Sequence, residues 1–160
     1  MPRIGIGYDS HRFAPGGPMR LGGVSLPIDF QLVGHSDGDA IAHALTDAVL
    51  GAAGAGDIGE MFSDTDLANR GRDSVEMLRL AVERVHALGW RIANVDVTVV
   101  AERPYIGPYR DSMQEALAPA LGLEPSAIGI KGKSNERMGW VGRGEGLACI
   151  AVALLERSGA

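Results

Sequence analysis

The stretch that constrains this chain most is Gly34-His35-Ser36-Asp37-Gly38-Asp39 together with the apolar run it opens, Ala40 through Gly56. Ser36, Asp37 and Asp39 are residue types that cap a helix with a side-chain oxygen, and the Ala, Leu and Val that follow propagate one. A helix is therefore expected to begin near Asp39. On it Asp39, His43 and Asp47 recur every four residues, which stacks a carboxylate, an imidazole and a second carboxylate along one face near the positive end of the helix dipole. Ile41, Leu45 and Ala48 fill the opposite face, so the polar stripe is not a defect of the core. This is the geometry of a metal or anion site.

Composition enters through what it excludes. With 160 residues, 46% of them hydrophobic and 22% charged, the chain fits one globular domain, 1–160, whose core needs no disulfide staples. No apolar run approaches the ~20 residues of a bilayer span. Met1-Pro2-Arg3 passes straight into Ile4-Gly5-Ile6 without a signal-peptide layout, so a cytoplasmic location away from membranes is expected. The net charge of −5 argues against a nucleic-acid partner, which would favour a basic surface. Cys149, inside an apolar run, reads as a buried reduced thiol. The 23 glycines cluster at 16–17, 22–23, 51–59 and 139–146, which reads as turns and loops over a site.

The remaining elements follow from periodicity. Arg3 to Tyr8 predicts a strand running into Asp9-Ser10-His11, where period-two alternation points Asp9 and His11 to the same side. Leu21 to Pro27 predicts a hairpin or irregular edge strand, and Asp57 to Arg72 a polar mobile loop. Asp73-Ser74-Val75-Glu76 is a capping-box pattern opening a helix with Val75, Leu78, Val82 and Val85 inward and Gly89 beyond its end. Arg91 to Ala101 predicts a β-branched strand, and Tyr109 to Leu121 a helix closed by Gly122. Ala127 to Gly132 predicts a short strand, Lys133 to Gly146 a Gly-rich loop, and Leu147 to Leu155 a buried strand. The fold class is α/β in the α+β sense: a single mixed β-sheet with helices packed on one face.

Asp9, His11 and His43 supply one carboxylate and two imidazoles, a set suited to Zn²⁺ with one open position; each residue alone is equally a turn or helix-surface residue. Asp47, one turn beyond His43, is read either as an acceptor behind that imidazole, shared with Asp39 as a supporting carboxylate, or as a solvated helix residue. His35 and Ser36 precede the helix where a hydroxyl and N–H groups hold phosphate, although Ser36 serves equally as a plain cap. Gly132-Lys133-Ser134 fails as a phosphate loop of the Walker type, because Ala127 stands where its first Gly belongs. Lys131, Lys133, Ser134 and Glu136 nevertheless combine cation, hydroxyl and carboxylate, which suits a diphosphate with Mg²⁺.

Asp9-x-His11, His35-Ser36-Asp37-Gly38-Asp39 with His43, Asp57-Ile58-Gly59, Asn94-Val95-Asp96 and Gly142-Arg143-Gly144-Glu145-Gly146 together resemble the 2-C-methyl-D-erythritol 2,4-cyclodiphosphate synthase family of non-mevalonate isoprenoid biosynthesis, nearly end to end. The resemblance implies a Zn²⁺ held by Asp9, His11 and His43, and a second ion, Mg²⁺ or Mn²⁺, held by Glu136 and substrate phosphates. It implies a homotrimer with active sites shared between subunits. His35, Ser36, Lys133 and Ser134 match positions at the reacting phosphates. The cytidine end is implied to lie against Ala101, Pro104, Tyr105, Ile106, Gly107 and Gly132 to Ser134, and the erythritol part against Asp57, Gly59 and Asp64. Where the family commonly carries Lys, this chain has Tyr105. Trp140, Arg143 and Glu145 match positions near an axial channel where relatives hold an isoprenoid diphosphate.

The implied reaction takes 4-diphosphocytidyl-2-C-methyl-D-erythritol 2-phosphate to the cyclic diphosphate, releasing CMP; positioning and charge neutralisation are then the main task. A zinc phosphohydrolase and a non-catalytic binder of cytidine diphosphate compounds are the alternatives the same residues admit.

Overall fold

The computed structural model describes residues 1–159. Seven strands, β1 (Arg3–Pro15), β2 (Met19–Leu21), β3 (Val24–Leu26), β4 (Phe30–Leu32), β5 (Trp90–Val100), β6 (Ile128–Lys133) and β7 (Gly146–Arg157), alternate with five helices. These are α1 (Ala40–Ala53), α2 (Ile58–Met61), α3 (Ser74–Ala87), α4 (Arg110–Leu121) and α5 (Gly139–Gly142). The main sheet has the order β4-β1-β7-β5-β6, with β5 and β6 parallel and the other pairs antiparallel, so it is mixed as expected. β2 and β3 form a separate hairpin.

The alternation along β1 sets where everything else goes. Gly5 and Gly7 are buried while Ile4, Ile6 and Tyr8 are exposed. A Cβ at Gly5 would strike the backbone of Ala48 and Ala52, and one at Gly7 the backbone of Ala44, so glycine lets α1 lie directly on the strand. The same period carries Asp9 and His11 onto the helix side beyond the glycines. Behind α1, the buried Val95, Val97 and Val99 of β5 and Cys149, Ala151, Ala153 and Leu155 of β7 complete the core, with α3 packed on α1 and α4 on α3. Ile41, Leu45 and Leu50 are fully buried, each contributing about 1.5–3 kcal/mol. Among the described residues no helix is long and apolar enough to cross a membrane.

Several expectations need correction. β1 extends seven residues past Tyr8 to Pro15, because its far end pairs with β7 and with β4, an element that its three residues were too short to announce. The segment 57–72 is not a bare loop: it holds α2 and a 3-10 turn, Leu67–Asn69, started by the side chains of Asp57 and Asp66 on the N–H groups of Glu60 and Ala68. Caps rather than apolar periodicity build both. The segment 133–146 likewise contains α5.

Candidate metal centre and its cleft

Two elements distant in sequence bring the donor atoms together. Asp9 and His11 leave β1 on the helix side, and His43 faces them from the first turns of α1. Asp9 Oδ2 lies 2.7 Å from His11 Nε2 and 3.1 Å from His43 Nδ1, and the two imidazole nitrogens are 3.3 Å apart. One atom from each of the three residues thus lies within 4.8 Å of the others, a grouping able to hold a metal ion. The chemistry of the set, one carboxylate and two borderline-soft imidazoles, fits Zn²⁺ with a position left for a substrate oxygen.

Each ring is held from behind. His11 donates from Nδ1 to the Val33 carbonyl at 2.6 Å. His43 Nε2 lies 2.7 Å from Ser74 Oγ and 2.8 Å from Ser36 Oγ, and Ser74 Oγ in turn donates to the Asp37 carboxylate. Burial pushes the Asp9 carboxyl up, but the hydrogen bonds and charge of His11 and His43 outweigh it and hold the group below its ordinary range. Burial likewise pushes His11 down, and Asp9 with the Val33 carbonyl more than reverses it. Both shifts record the mutual attraction of the Asp9 carboxylate and the His11 ring.

Of Asp39, His43 and Asp47, spaced four apart along α1 and its cap, only His43 faces the donor cluster. Asp39 is wholly buried and caps α1, accepting from Ala42 N–H at 3.1 Å and from Gly22 and Gly23 at 2.8 and 2.7 Å. Gly22 and Gly23 both have positive φ, as a two-residue hairpin turn demands. Asp39 therefore ties the β2–β3 turn to the helix start and does not support His43. Burial raises its pKa, against the three N–H donors. Asp47 does not stand behind His43 either; its carboxylate accepts from Ile58 N–H at 2.8 Å and anchors the start of α2. Ser36 is not the cap of α1, since that place is taken by Asp39.

A cleft of about 210 Å³ opens over the donors, lined also by His35, Ser36, Gly59, Phe62, Asp64 and Met77. Exposed His35 and Asp64 face each other across 3.9 Å. Asp57 sits at the cap of α2 next to Gly59. The other expected residues do not line this cleft. Ala101, Pro104, Ile106 and Gly107 gather instead with Gly132, Lys133 and Ser134: Ala101 N–H donates to the Lys133 carbonyl at 2.9 Å, and Ile106 covers the Cα of Gly132. Glu136 follows in a turn where it and Arg137 both adopt positive φ, 52° and 60°. The Glu102 carboxylate closes that turn, accepting from Asn135 and Arg137 N–H at 3.1 and 2.9 Å. Lys131 is not part of this group, because its ammonium is committed to Asp96 at 2.6 Å. Arg143 pairs with Glu145 at 2.7 Å.

Sequence reasoning did not single out Ser74, Asp37 or Glu102 as site residues. Ser74 carried a signal only as part of a helix cap, and Asp73 performs that task, accepting from Val75 and Glu76 N–H.

A mixed sheet covered by helices on one side, with an Asp-His-His set able to hold a metal where its first strand meets its first helix, defines a small α/β domain with a candidate metal centre. The chain belongs to the YgbB family, whose model matches residues 2–156. It is 61% identical over 153 residues to the 2-C-methyl-D-erythritol 2,4-cyclodiphosphate synthase of Gemmatimonas aurantiaca, covering 96% of this chain and 92% of that protein. It is 53% identical to the enzyme of the same name from Laribacter hongkongensis, covering 96% and 95%. Among solved structures, the CDP complex of IspF from Plasmodium falciparum superposes with a TM-score of 0.86 at 33% identity, covering 98% and 97%. The bifunctional IspDF of Campylobacter jejuni gives 0.94 at 38% identity, with 98% of this chain matching 42% of that longer one.

Proposed function

We propose that this chain catalyses the reaction its relatives are named for: closure of 4-diphosphocytidyl-2-C-methyl-D-erythritol 2-phosphate to 2-C-methyl-D-erythritol 2,4-cyclodiphosphate with release of CMP, in isoprenoid precursor synthesis. The observation that carries the reading is the convergence of Asp9, His11 and His43 with both imidazoles held from behind. Asp9, His11 and His43 would hold Zn²⁺, and Glu136 with substrate phosphates Mg²⁺ or Mn²⁺. When bound, these ions draw charge from the attacked phosphorus and from the departing CMP.

The chain's own residues do the rest by positioning. His35 and Ser36, at the lip of the cleft, donate to the phosphates that must be brought together. Asp57, Gly59 and Asp64 hold the erythritol hydroxyls. Ala101 to Gly107 and Gly132 to Ser134 form the cytidine side, with Lys133 and Ser134 reaching the diphosphate. Tyr105, largely exposed, offers an aromatic ring and no cation to this side.

The same reading requires a homotrimer with shared sites. Two features support it. The cytidine side lies outside the cleft of its own chain, so one subunit's loop must face another's donors. The sheet face opposite the helices leaves Ile4 and Ile6 about 70% exposed, with Val152 opposite Ile6 and Ile150 opposite the exposed Tyr8, an apolar patch that marks an interface. An axial isoprenoid diphosphate at Trp140 and Arg143 would have to compete with Glu145 for the guanidinium; mass spectrometry of gently purified protein tests it, and absence of any such lipid removes that part. The free, buried Cys149 suits the reducing cytoplasm we assign to this one-domain protein.

Incubation with the diphosphocytidyl substrate, Zn²⁺ and Mg²⁺, followed by phosphorus NMR, is expected to give a cyclic diphosphate and CMP in equal amounts. A linear phosphate monoester would mark a phosphohydrolase instead, and an unchanged bound substrate a mere binder.

A further inference from the structure

An imidazole has two nitrogens, and only one can face a metal while the other keeps its hydrogen. For His11 the choice is settled by the Val33 carbonyl at 2.6 Å, which can only accept; Nδ1 carries the hydrogen and Nε2 faces Asp9. His43 is turned the other way, with Nδ1 toward Asp9 and Nε2 toward the hydroxyls of Ser74 and Ser36. A hydroxyl can donate or accept, so hydroxyls alone leave the ring undecided.

Asp37 removes the ambiguity. Its carboxylate only accepts, and it takes the Ser74 hydroxyl together with the N–H groups of Ser74 and Asp39, both at 3.1 Å. Arg20 Nε lies 3.9 Å from Asp37 Oδ2, whereas the Ser74 hydroxyl bonds the other oxygen, Oδ1. The single O–H proton of Ser74 is thereby committed, and its oxygen has only lone pairs to offer His43. We propose that Asp37 and Ser74 form a relay that keeps the hydrogen of His43 on Nε2 and its Nδ1 free for the metal, which makes both of them positioning residues. The proposal rests on reading Asp9, His11 and His43 as metal ligands.

Two further observations support the relay. Ser74 is fully buried, so water does not compete for its hydroxyl. Helix α3 does not need that hydroxyl either, because Asp73 already supplies the cap. Ser36, whose oxygen is 3.1 Å from Ser74 Oγ, has no carboxylate behind it; with the Ser74 proton committed to Asp37, Ser36 is the donor of that pair and can turn its hydrogen to an anion in the cleft. The two serines therefore divide the work, Ser74 orienting the ligand and Ser36 meeting the substrate.

The test uses the full-length protein and zinc alone. In zinc-loaded wild type, proton–nitrogen NMR should show hydrogen on Nε2 of His43, protected from solvent exchange. Ser74→Ala keeps the backbone bond to Asp37 and the Asp73 cap, and should lower zinc affinity in chelator competition by about 10–100-fold, as loss of an outer-shell partner does, while speeding exchange of that hydrogen at least ~10-fold. Asp37→Asn must point an N–H₂ at Ser74 or at a backbone N–H, and should weaken zinc similarly. Zinc affinity within about twofold of wild type in Ser74→Ala overturns the relay. So does a wild-type spectrum without the protected Nε2 hydrogen, whatever the variants do. If wild type takes up no zinc, the metal reading and the relay fall together; if wild type and Ser74→Ala bind it equally, only the relay falls.

Discussion

Around Asp9, His11 and His43 the chain fixes geometry with side chains: each imidazole is held on its far edge by a carbonyl or by hydroxyls, and the cleft exists within one subunit. Around Glu136 it relies on backbone shape. Glu136 and Arg137 sit consecutively in the left-handed region, a conformation that costs of order 1–3 kcal/mol per non-glycine residue. Glu102 caps the turn from one side, and Gly142 admits the Arg137 backbone from another, where a Cβ would collide. The donor cleft is thus prepared to hold a cation by itself. The exposed loop holds one carboxylate in place, and in the proposed trimer the substrate and a neighbouring subunit would complete that site.

The strongest way to break this contrast is His43→Ala. It should remove zinc and lower turnover by more than ~10³-fold, the equivalent of several kcal/mol of lost charge stabilisation, while circular dichroism stays that of the folded chain. Wild-type rate and metal content in this variant would sink the catalytic assignment. Val152→Arg separates the halves without touching either. If the exposed apolar sheet face is the proposed subunit interface, a charge placed on it should yield monomers by sedimentation and cost about 100-fold in turnover, with zinc binding retained because the cleft belongs to one chain. A monomeric variant at full rate would show that the site is not shared.

Glu102→Ala acts on the loop alone. Loss of the carboxylate that closes the turn should raise the Mg²⁺ concentration needed for half-maximal rate about tenfold, with zinc affinity unchanged. Equal loss of both ions would mean that the halves are not independent. The smallest effect is expected at Asp47, whose pKa is raised chiefly by burial and by the nearby carboxylates Asp57 and Asp9, against the Ile58 N–H bond. A carboxyl with a raised folded pKa stabilises the fold below its unfolded value near 3.8, and that contribution is lost as pH rises through the folded value. Asp47→Asn keeps an oxygen for Ile58 and does not titrate. Its melting temperature relative to wild type should therefore rise as pH increases above about 4. A difference independent of pH would show that the charge of Asp47 carries no such cost.

Much of the cleft was legible in the chain because its rules are local. Period two put Asp9 and His11 on one side of β1, whereas the close approach of α1 over Gly5 and Gly7 emerged only in the fold. The Asp39 cap and the apolar face of α1 located His43. The same helical period misled at Asp39 and Asp47: it showed that they share a stripe with His43 but not that the hairpin turn and the start of α2 would claim their oxygens. The caps of α2 and of the following 3-10 turn were visible residue by residue, yet without an apolar rhythm they gave no element to recognise.

What the sequence determined by itself is the kind of fold and which three side chains, Asp9, His11 and His43, would face one another, since strand alternation, helix period and capping act over a few residues. Tertiary structure decided which groups stand behind those donors. Residues 37, 43 and 74 meet only because α3 packs on α1 and closes over the turn that precedes it. Contacts spanning 31 and 37 residues arise from packing two amphipathic surfaces, and no short-range pattern encodes them.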